Sequence, residues 1–285
     1  MAKSIDTLVE DIYSLFTNDE EIKIDKKHLD AFAEAVASSV ASAISEVRKP
    51  REPSLRLSLI GHKDRKIWYE MNGAEKQQLS APTLIKFLYG DILEQLLILF
   101  TKVAGHDIVE EQAELTSNGV RGHKDATIDG VLVDFKSASP YSFKKFKEGT
   151  ILNDDPFGYI AQISAYSDAD NNPNVGFVAI DKSSGEICYC PIDDMDLNNS
   201  GNRIDEIRSF LEKDTPPDKC YDSIPDGSSG NHKLHIGCAF CDYKFTCWTD
   251  ANDGVGIRTF KYSNGPKHLV KVAKVPNVPE ITNGK

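Results

Sequence analysis

The stretch His123-Lys-Asp-Ala-Thr-Ile-Asp-Gly-Val-Leu-Val-Asp-Phe-Lys-Ser137 has the form of a β-hairpin. Asp129-Gly130 is a two-residue turn signal, and apolar residues alternate on either side of it. Counting outward pairs Ile128 with Val131, Thr127 with Leu132 and Ala126 with Val133, so that Asp125 falls opposite Asp134. In that register the two carboxylates have Cβ atoms about 4.5–5.5 Å apart on one face, where like charges repel. Lys136 follows Asp134 by one strand period and shares its face.

Two acids and a lysine in an otherwise apolar hairpin admit two readings. Either the acids face solvent with Lys136 as an ion-pair partner, or something positive holds them. A divalent cation does so, because carboxylate oxygens are the hard ligands Mg²⁺ and Mn²⁺ prefer. Lys136 beside such an ion would hold a water or stabilise charge developing on a phosphate.

The chain of 285 residues is 40% hydrophobic and 27% charged, the composition of a globular protein. Its length suits one large domain or two small ones. No apolar run approaches the roughly 20 residues of a membrane span, and the acidic N-terminal stretch lacks a signal or transit pattern. The expectation is a cytoplasmic protein with no membrane partner. A net charge of −11 argues against indiscriminate nucleic-acid binding, although the segment after Asp253 carries six Lys or Arg and one Glu.

Helical patterns cover 4–48, broken near Thr17–Asp25, with the second from about Lys27 to Val47 and ended by Pro50 and Pro53. A short helix around Arg65–Tyr69 and a long apolar one from about Pro82 to Val103 follow. The stretch 107–136 is strand-rich. After it, Ser139–Thr150 reads as a basic link, about Phe157–Asp168 as a helix, 175–180 with 186–192 as a second hairpin, and about Ile204–Lys213 as a helix. This order fits an α/β or α+β core with a mixed sheet. The expected organisation is an N-terminal helical region (1–50), a core (51–215), a cysteine segment (216–250) and a basic C-terminal tail (251–285).

Gly122-His-Lys-Asp125 followed by Asp134-Phe-Lys136 resembles the G-x-x-D … (D/E)-x-K signature of the PD-(D/E)xK nuclease superfamily. Gln162-Ile-Ser-Ala-Tyr166 matches the Q-x-x-x-Y motif of its RecB-like branch, with both side chains on one helix face. Leu88-Tyr-Gly-Asp-Ile-Leu-Glu94 resembles the family's first motif, a helix that points a glutamate into the site. Gly90 would let that helix approach the sheet. Asp91, Glu94 and Gln95 also suit the solvated stripe of an amphipathic helix.

The resemblance spans about residues 55–250. It implies a restriction-endonuclease-like core and a Mg²⁺- or Mn²⁺-dependent DNA nuclease, an exonuclease, leaving 5′-phosphate products. Asp125 and Asp134, the Phe135 carbonyl and Glu94 would hold metal. Lys136 would position the attacking water, Gln162 would orient Lys136 or the water, and Tyr166 would support the strand. A helicase or recombination protein is the kind of partner implied. An endonuclease on the same fold and a non-catalytic nucleic-acid-binding module with structural zinc are the alternatives.

Six cysteines all lie at or after Cys188. Cys188 and Cys190 alternate with Ile187 and Tyr189 as buried small hydrophobes. Cys238-x2-Cys241-x5-Cys247 resembles the C-terminal triplet of AddB and CRISPR-associated RecB-like nucleases, where a distant upstream cysteine completes a 4Fe-4S cluster. No cysteine stands at the corresponding place near Ser58–Arg65, so Cys220 is the available fourth ligand. Four thiolates with one C-x2-C pair also suit structural Zn²⁺. For DNA contacts the candidates are Arg65 and Tyr69, one helical turn apart, and Lys144, Lys145 and Lys147. Each equally suits a solvated surface.

Overall fold

A computed structural model describes residues 3–19, 21–45, 52–193 and 197–281. Part of the expected second helix, 46–47, and Pro50 lie outside the described residues. The chain divides into two compact units, the first comprising 1–51, 55–61 and 79–205, the second 52–54, 62–78 and 206–285.

The first unit is organised by the hairpin. Helices α1 (Leu8–Thr17) and α2 (Lys26–Ser45) open the chain, and α3 (Asp64–Met71) belongs to the second unit. Helix α4 (Ala81–Val103) starts at Ser80, whose hydroxyl accepts from the Thr83 N–H, with Pro82 in the first turn. Next come β1 (Ile108–Val109), β2 (Glu114–Ser117), β3 (Val120–His123), β4 (Ala126–Ile128) and β5 (Val131–Ala138). They are followed by α5 (Pro140–Lys147), α6 (Tyr159–Asp170), β6 (Val175–Asp181), β7 (Ile187–Ile192) and α7 (Ser200–Leu211), which belongs to the second unit from Glu206 onward.

The central sheet has the order β1-β4-β5-β6-β7. β5 and β6 run parallel while the other pairs are antiparallel, so a crossover through α5 and α6 joins the parallel pair. This central mixed sheet flanked by helices is the α/β architecture expected from the sequence. Alternation sends Val133 and Phe135 of β5, with Val178 and Ile180 of β6, into one core with Leu97 and Ile98 of α4 and Leu8 and Ile12 of α1. Each such side chain contributes about 1.5–3 kcal/mol on burial. Asp134 and Lys136, by the same alternation, belong to the opposite face.

The segment expected as a basic link is helix α5. Ser139 caps it, Pro140 occupies its first turn, and Phe143 and Phe146, three residues apart, are buried. The lysines hid a helix whose apolar stripe is only two aromatics wide.

The second unit contains α3, β8 (Ile224–Pro225), β9 (His232–Lys233), α8 (Ile236–Ala239), α9 (Lys244–Cys247), β10 (Arg258–Tyr262), β11 (Gly265–Lys271) and β12 (Glu280–Ile281). Its sheet has the order β12-β10-β11-β9-β8. The expected basic tail is therefore a folded hairpin, Tyr262 pairing with Gly265 across a two-residue turn. Thr259, Phe260, Leu269 and Val270 are buried, Lys261 and Lys271 are exposed, and Lys267 is partly buried and pairs with Asp226. The cysteine segment shares a small core with this hairpin region, in which Leu234, Cys238 and Trp248 pack with Ala251, Ile257 and Val270.

Candidate active site

The ladder between β4 and β5 has the register read from the turn, Ile128↔Val131, Thr127↔Leu132 and Ala126↔Val133. It stops there. Asp125 is not paired across the ladder with Asp134, because the chain changes partners at this residue. β3 pairs with β2, and Lys124 and Asp125 prolong that pairing: Lys124 N–H donates to Ala113 O at 3.1 Å, and Gln112 N–H donates to Asp125 O at 3.0 Å. The Asp125 side chain instead reaches β5, where its Oδ2 accepts from the Phe135 N–H at 2.7 Å. The two acids are neighbours through this bond rather than as a cross-strand pair.

Asp134 is buried, and its carboxylate is held from two directions. Oδ1 accepts from Gln162 Nε2 at 3.2 Å. Oδ2 forms an ion pair with Lys136 Nζ and makes no other hydrogen bond. Gln162 Nε2 also donates to Tyr166 Oη at 3.1 Å, so the i, i+4 pair on α6 acts as a single support. Gly122 explains part of the G-x-x-D spacing. A Cβ there would lie 2.9 Å from Tyr166 Cε1 and 2.8 Å from Leu57 Cβ, so a side chain would displace the tyrosine.

Glu94 projects from α4 and accepts from Gln112 Nε2 at 2.9 Å. Gly90, one turn earlier, stands where a Cβ would lie 3.3 Å from Ser137 Oγ, which is the close approach of helix to sheet expected from the sequence. Burial first, then the neighbouring Asp134 and Asp91, push the Glu94 carboxyl up to about 7. Asp125 is likewise raised well above the carboxylate range, by burial and then by Asp134 and Glu94. For Lys136 burial acts downward, but Asp134 and Asp125 outweigh it and keep the ammonium charged above its ordinary range. Burial raises the Tyr166 hydroxyl to about 12, so it stays neutral while accepting from Gln162. The acids Glu94, Asp125 and Asp134, Lys136, Gln162 and Tyr166 are thus brought into one interacting group.

Three contributors carry no motif. Gln112 holds both Asp125, through its backbone, and Glu94, through its side chain, from a left-handed conformation with φ 54°. Lys124, 1% exposed, pairs with Glu110 and Asp170 and donates to Thr127 Oγ1 at 3.0 Å, which anchors the chain where it changes partners. Tyr159 presents its ring to Lys136 Nζ, 4.4 Å from the centroid. Only Tyr159 left a sequence trace, since Tyr159, Gln162 and Tyr166 recur at helical spacing on one face.

The basic candidates on α5 are differently placed. Lys145 donates to the Asp154 carbonyl at 3.0 Å and pairs with its carboxylate, and Lys147 pairs with Glu186. Lys144 is exposed, 3.7 Å from Glu148. In the second unit Arg65 spends its donors locally, on Cys247 Sγ at 3.2 Å, Pro217 O at 2.5 Å and Tyr69 Oη at 3.2 Å. Tyr69 is buried and stacks on Tyr243 with centroids 5.6 Å apart. Neither presents an open phosphate-binding face.

Cys220, Cys238, Cys241 and Cys247 all lie in the second unit and interact electrostatically, Cys220 with Cys247 and Cys241, and Cys238 with the other three. Burial pushes the Cys238 thiol up to about 12 and raises Cys220 and Cys241. Cys188 and Cys190 are buried in β7 of the first unit, raised by burial to about 12 and about 11. Among the described residues no three His, Cys, Asp or Glu side chains are arranged to hold a metal ion as they stand. No helix among them is long and apolar enough to cross a membrane.

Fold and site define a mixed α/β protein with a buried carboxylate–lysine group at the edge of its central hairpin. No family model and no curated protein matches the chain. Among solved structures it is similar to SSO0001, with 14% identity, a TM-score of 0.42 and coverage of 75% of this chain and 94% of that one. It is similar to the alkaline exonuclease LHK-Exo from Laribacter hongkongensis, with 16% identity, a TM-score of 0.41 and coverage of 57% and 89%. A phage related exonuclease from Haemophilus somnus 129PT gives 13% identity, a TM-score of 0.37 and coverage of 57% and 92%. Likeness this loose assigns no activity to the chain.

Proposed function

We propose that the protein is a metal-dependent DNA nuclease acting from strand ends. The observation that supports this is the assembly of Glu94, Asp125, Asp134 and Lys136 around β5, with Gln162 bridging Asp134 and Tyr166. A binding module requires none of these groups to be together. A structural role is poorly served by acids whose ionisation their own neighbours oppose.

The donor chemistry fits a hard divalent cation. Asp134 Oδ2 is buried with no hydrogen bond beyond its ion pair, and two further acids repel it. Asp125, Asp134 and Glu94, with the Phe135 carbonyl, would hold Mg²⁺ or Mn²⁺, which when bound supplies Lewis acidity to the phosphodiester and a more acidic water. The chain's own part is orientation and charge. Lys136 Nζ, kept protonated beside Asp134, donates to the non-bridging phosphate oxygen or the attacking water and stabilises the charge that develops. Gln162 fixes the Asp134 carboxylate, and Tyr166 fixes Gln162, so the lysine has one resting position. The products would carry 5′ phosphates.

The four cysteines of the second unit fit either a 4Fe-4S cluster or Zn²⁺ in donor type, and that centre's role would be structural. A helicase or recombination protein is the partner class this reading suggests, and the cytoplasm its compartment.

Purified protein incubated with end-labelled linear and closed circular DNA, with and without Mn²⁺, tests the proposal. Loss of linear DNA from its ends, only with Mn²⁺ and with circles intact, is expected. Cutting of circles would make it an endonuclease on the same fold, and inert DNA of both kinds would refute the nuclease.

A further inference from the structure

Phe157 precedes α6 and leaves half of its side chain in water, 50% exposed. Single exposed aromatics are ordinary. This one is unusual in how it is held. The Asp155 carboxylate accepts from the Phe157 N–H at 3.3 Å, the Gly158 N–H at 2.8 Å and the Ile160 N–H at 2.8 Å, which fixes the backbone on both sides of the ring. Gly158, at φ 79°, lies so close to Gly61 that a Cβ on it would sit 2.1 Å from the Gly61 carbonyl oxygen. The loop therefore cannot swing away without opening that backbone contact.

The ring itself is backed by another. Phe157 stacks on Tyr159 with centroids 5.5 Å apart and planes inclined by 28°. Tyr159 in turn packs on Phe146 and Phe177 and carries Lys136 Nζ over its face at 4.4 Å. An aromatic ladder thus runs from the site lysine to the surface, its inner rungs fixed by packing and its outer rung open. A stack of this kind extends naturally by one more flat π-system. A nucleobase has such a face, but only when it is unpaired and unstacked from its neighbours.

We propose that Phe157 is the stacking platform for an unpaired nucleobase of the strand whose phosphate meets Lys136, so that the substrate is single-stranded DNA or a frayed end. The proposal rests on the nuclease reading and names the substrate form that reading leaves open. Tyr159 acts here as a positioning residue, holding the outer ring and the lysine in fixed relation.

The test uses the full chain with Ca²⁺ in place of Mn²⁺ and fluorescence anisotropy of a short labelled single strand. A series of strands with one abasic site moved along the chain completes it. Wild type should lose about 5- to 150-fold in affinity at one abasic position, the range given by one base–aromatic stack. Phe157→Ala should lose the same factor on the intact strand and no longer distinguish that position, Phe157→Trp should keep both, and blunt duplex binding should not change. Phe157→Ala binding the intact strand as wild type does, or still losing affinity at the same abasic site, overturns the platform. Cleavage with Mn²⁺ separates the two ideas. A wild type that digests linear DNA beside an indifferent Phe157→Ala removes the platform and leaves the nuclease standing. A wild type that neither binds nor cuts DNA removes the nuclease itself and the platform with it.

Discussion

The carboxylate–lysine group of the first unit and the cysteine group of the second are built on opposite plans. In the first, residues from distant parts of the chain meet through sheet register, and almost every polar atom already has a partner. Gln112 serves Glu94, the Phe135 amide serves Asp125, and Gln162 and Lys136 serve Asp134. In the second, three of the four cysteines lie within ten residues, and besides one another the thiols meet Arg65 at Cys247, the backbone of Arg65 and Lys66 at Cys220, Trp248 at Cys238 and the backbone of Tyr243 at Cys241. The first is a charged network under tension, the second a set of thiols beside a small apolar core. Neither is fully ionised without a cation: burial and mutual repulsion raise Glu94 and Asp125 in the first, and thiols in the second ligate only as thiolates.

The largest effect should come from removing the cation of the first network. Lys136→Ala should lower the cleavage rate by about 10²–10³-fold, the usual consequence of deleting one preorganised donor to a developing charge. It also strips the buried Asp134 of its partner, which costs up to about 3–5 kcal/mol. Rates should therefore be compared at a temperature where circular dichroism shows the variant folded. A folded Lys136→Ala that cuts at the wild-type rate would remove the active-site assignment.

In the second unit, Cys220→Ser should abolish bound iron or zinc, read by metal analysis, and by bleaching near about 400 nm if the centre is iron–sulfur. Cys190→Ser should leave the metal untouched, although a buried hydroxyl in β7 costs about 1–3 kcal/mol. Metal lost from Cys190→Ser and kept in Cys220→Ser would break the grouping of the four cysteines.

The two regions should also respond oppositely to pH. His268 of β11, partly buried and near Lys244, has its pKa lowered from 6.5 to about 4, by desolvation first and then by Lys244. The folded state thus prefers neutral imidazole. Its contribution is complete above pH 6.5 and lost as pH falls toward 4. In the metal-free protein Glu94 has the reverse sign. With its carboxyl raised from 4.5 to about 7, stability is complete below pH 4.5 and declines as pH rises through 7. Urea unfolding of His268→Gln and Glu94→Gln with EDTA, at pH 4.5 and pH 8, should show the first variant flattening the acid limb and the second the alkaline one. A pH profile unchanged by either substitution would contradict the burial assigned to that group.

How far the sequence anticipated these regions depended on whether the cause was local. The Asp129-Gly130 turn and the period of two placed β4 and β5 in register, and Gly90, Gly122, Gln162 and Tyr166 stand where their spacing placed them. Asp125 departs because the switch of β3 and β4 between partners leaves no mark in the pattern of apolar residues. Helix α5 and the β10–β11 hairpin were obscured by lysines, although Ser139-Pro140 is an ordinary start signal and the polar run Ser263-Asn264-Gly265 an ordinary turn signal. Gln112 was not legible at all. Its role exists only once α4 and the loop before β2 are side by side.

That residue gives the smallest effect and the finest test of the charged network. Gln112 combines a strained backbone at φ 54° with one side-chain hydrogen bond to Glu94. The two can be separated. Gln112→Ala removes the bond and keeps the strain, at a net cost of about 0.5–1.5 kcal/mol. Gln112→Gly removes the bond and relieves the backbone, since glycine adopts positive φ freely, and should recover about 1 kcal/mol relative to alanine. Both should lower kcat about equally, by roughly tenfold for one misplaced carboxylate, with KM little changed. The side chain orients Glu94, whereas the backbone bond to Asp125 is common to all three proteins. Thermal unfolding and steady-state cleavage on the same preparations give both readings. If Gln112→Gly kept the wild-type kcat while Gln112→Ala lost it, the backbone bond to Asp125 rather than the side chain would be what positions the acids.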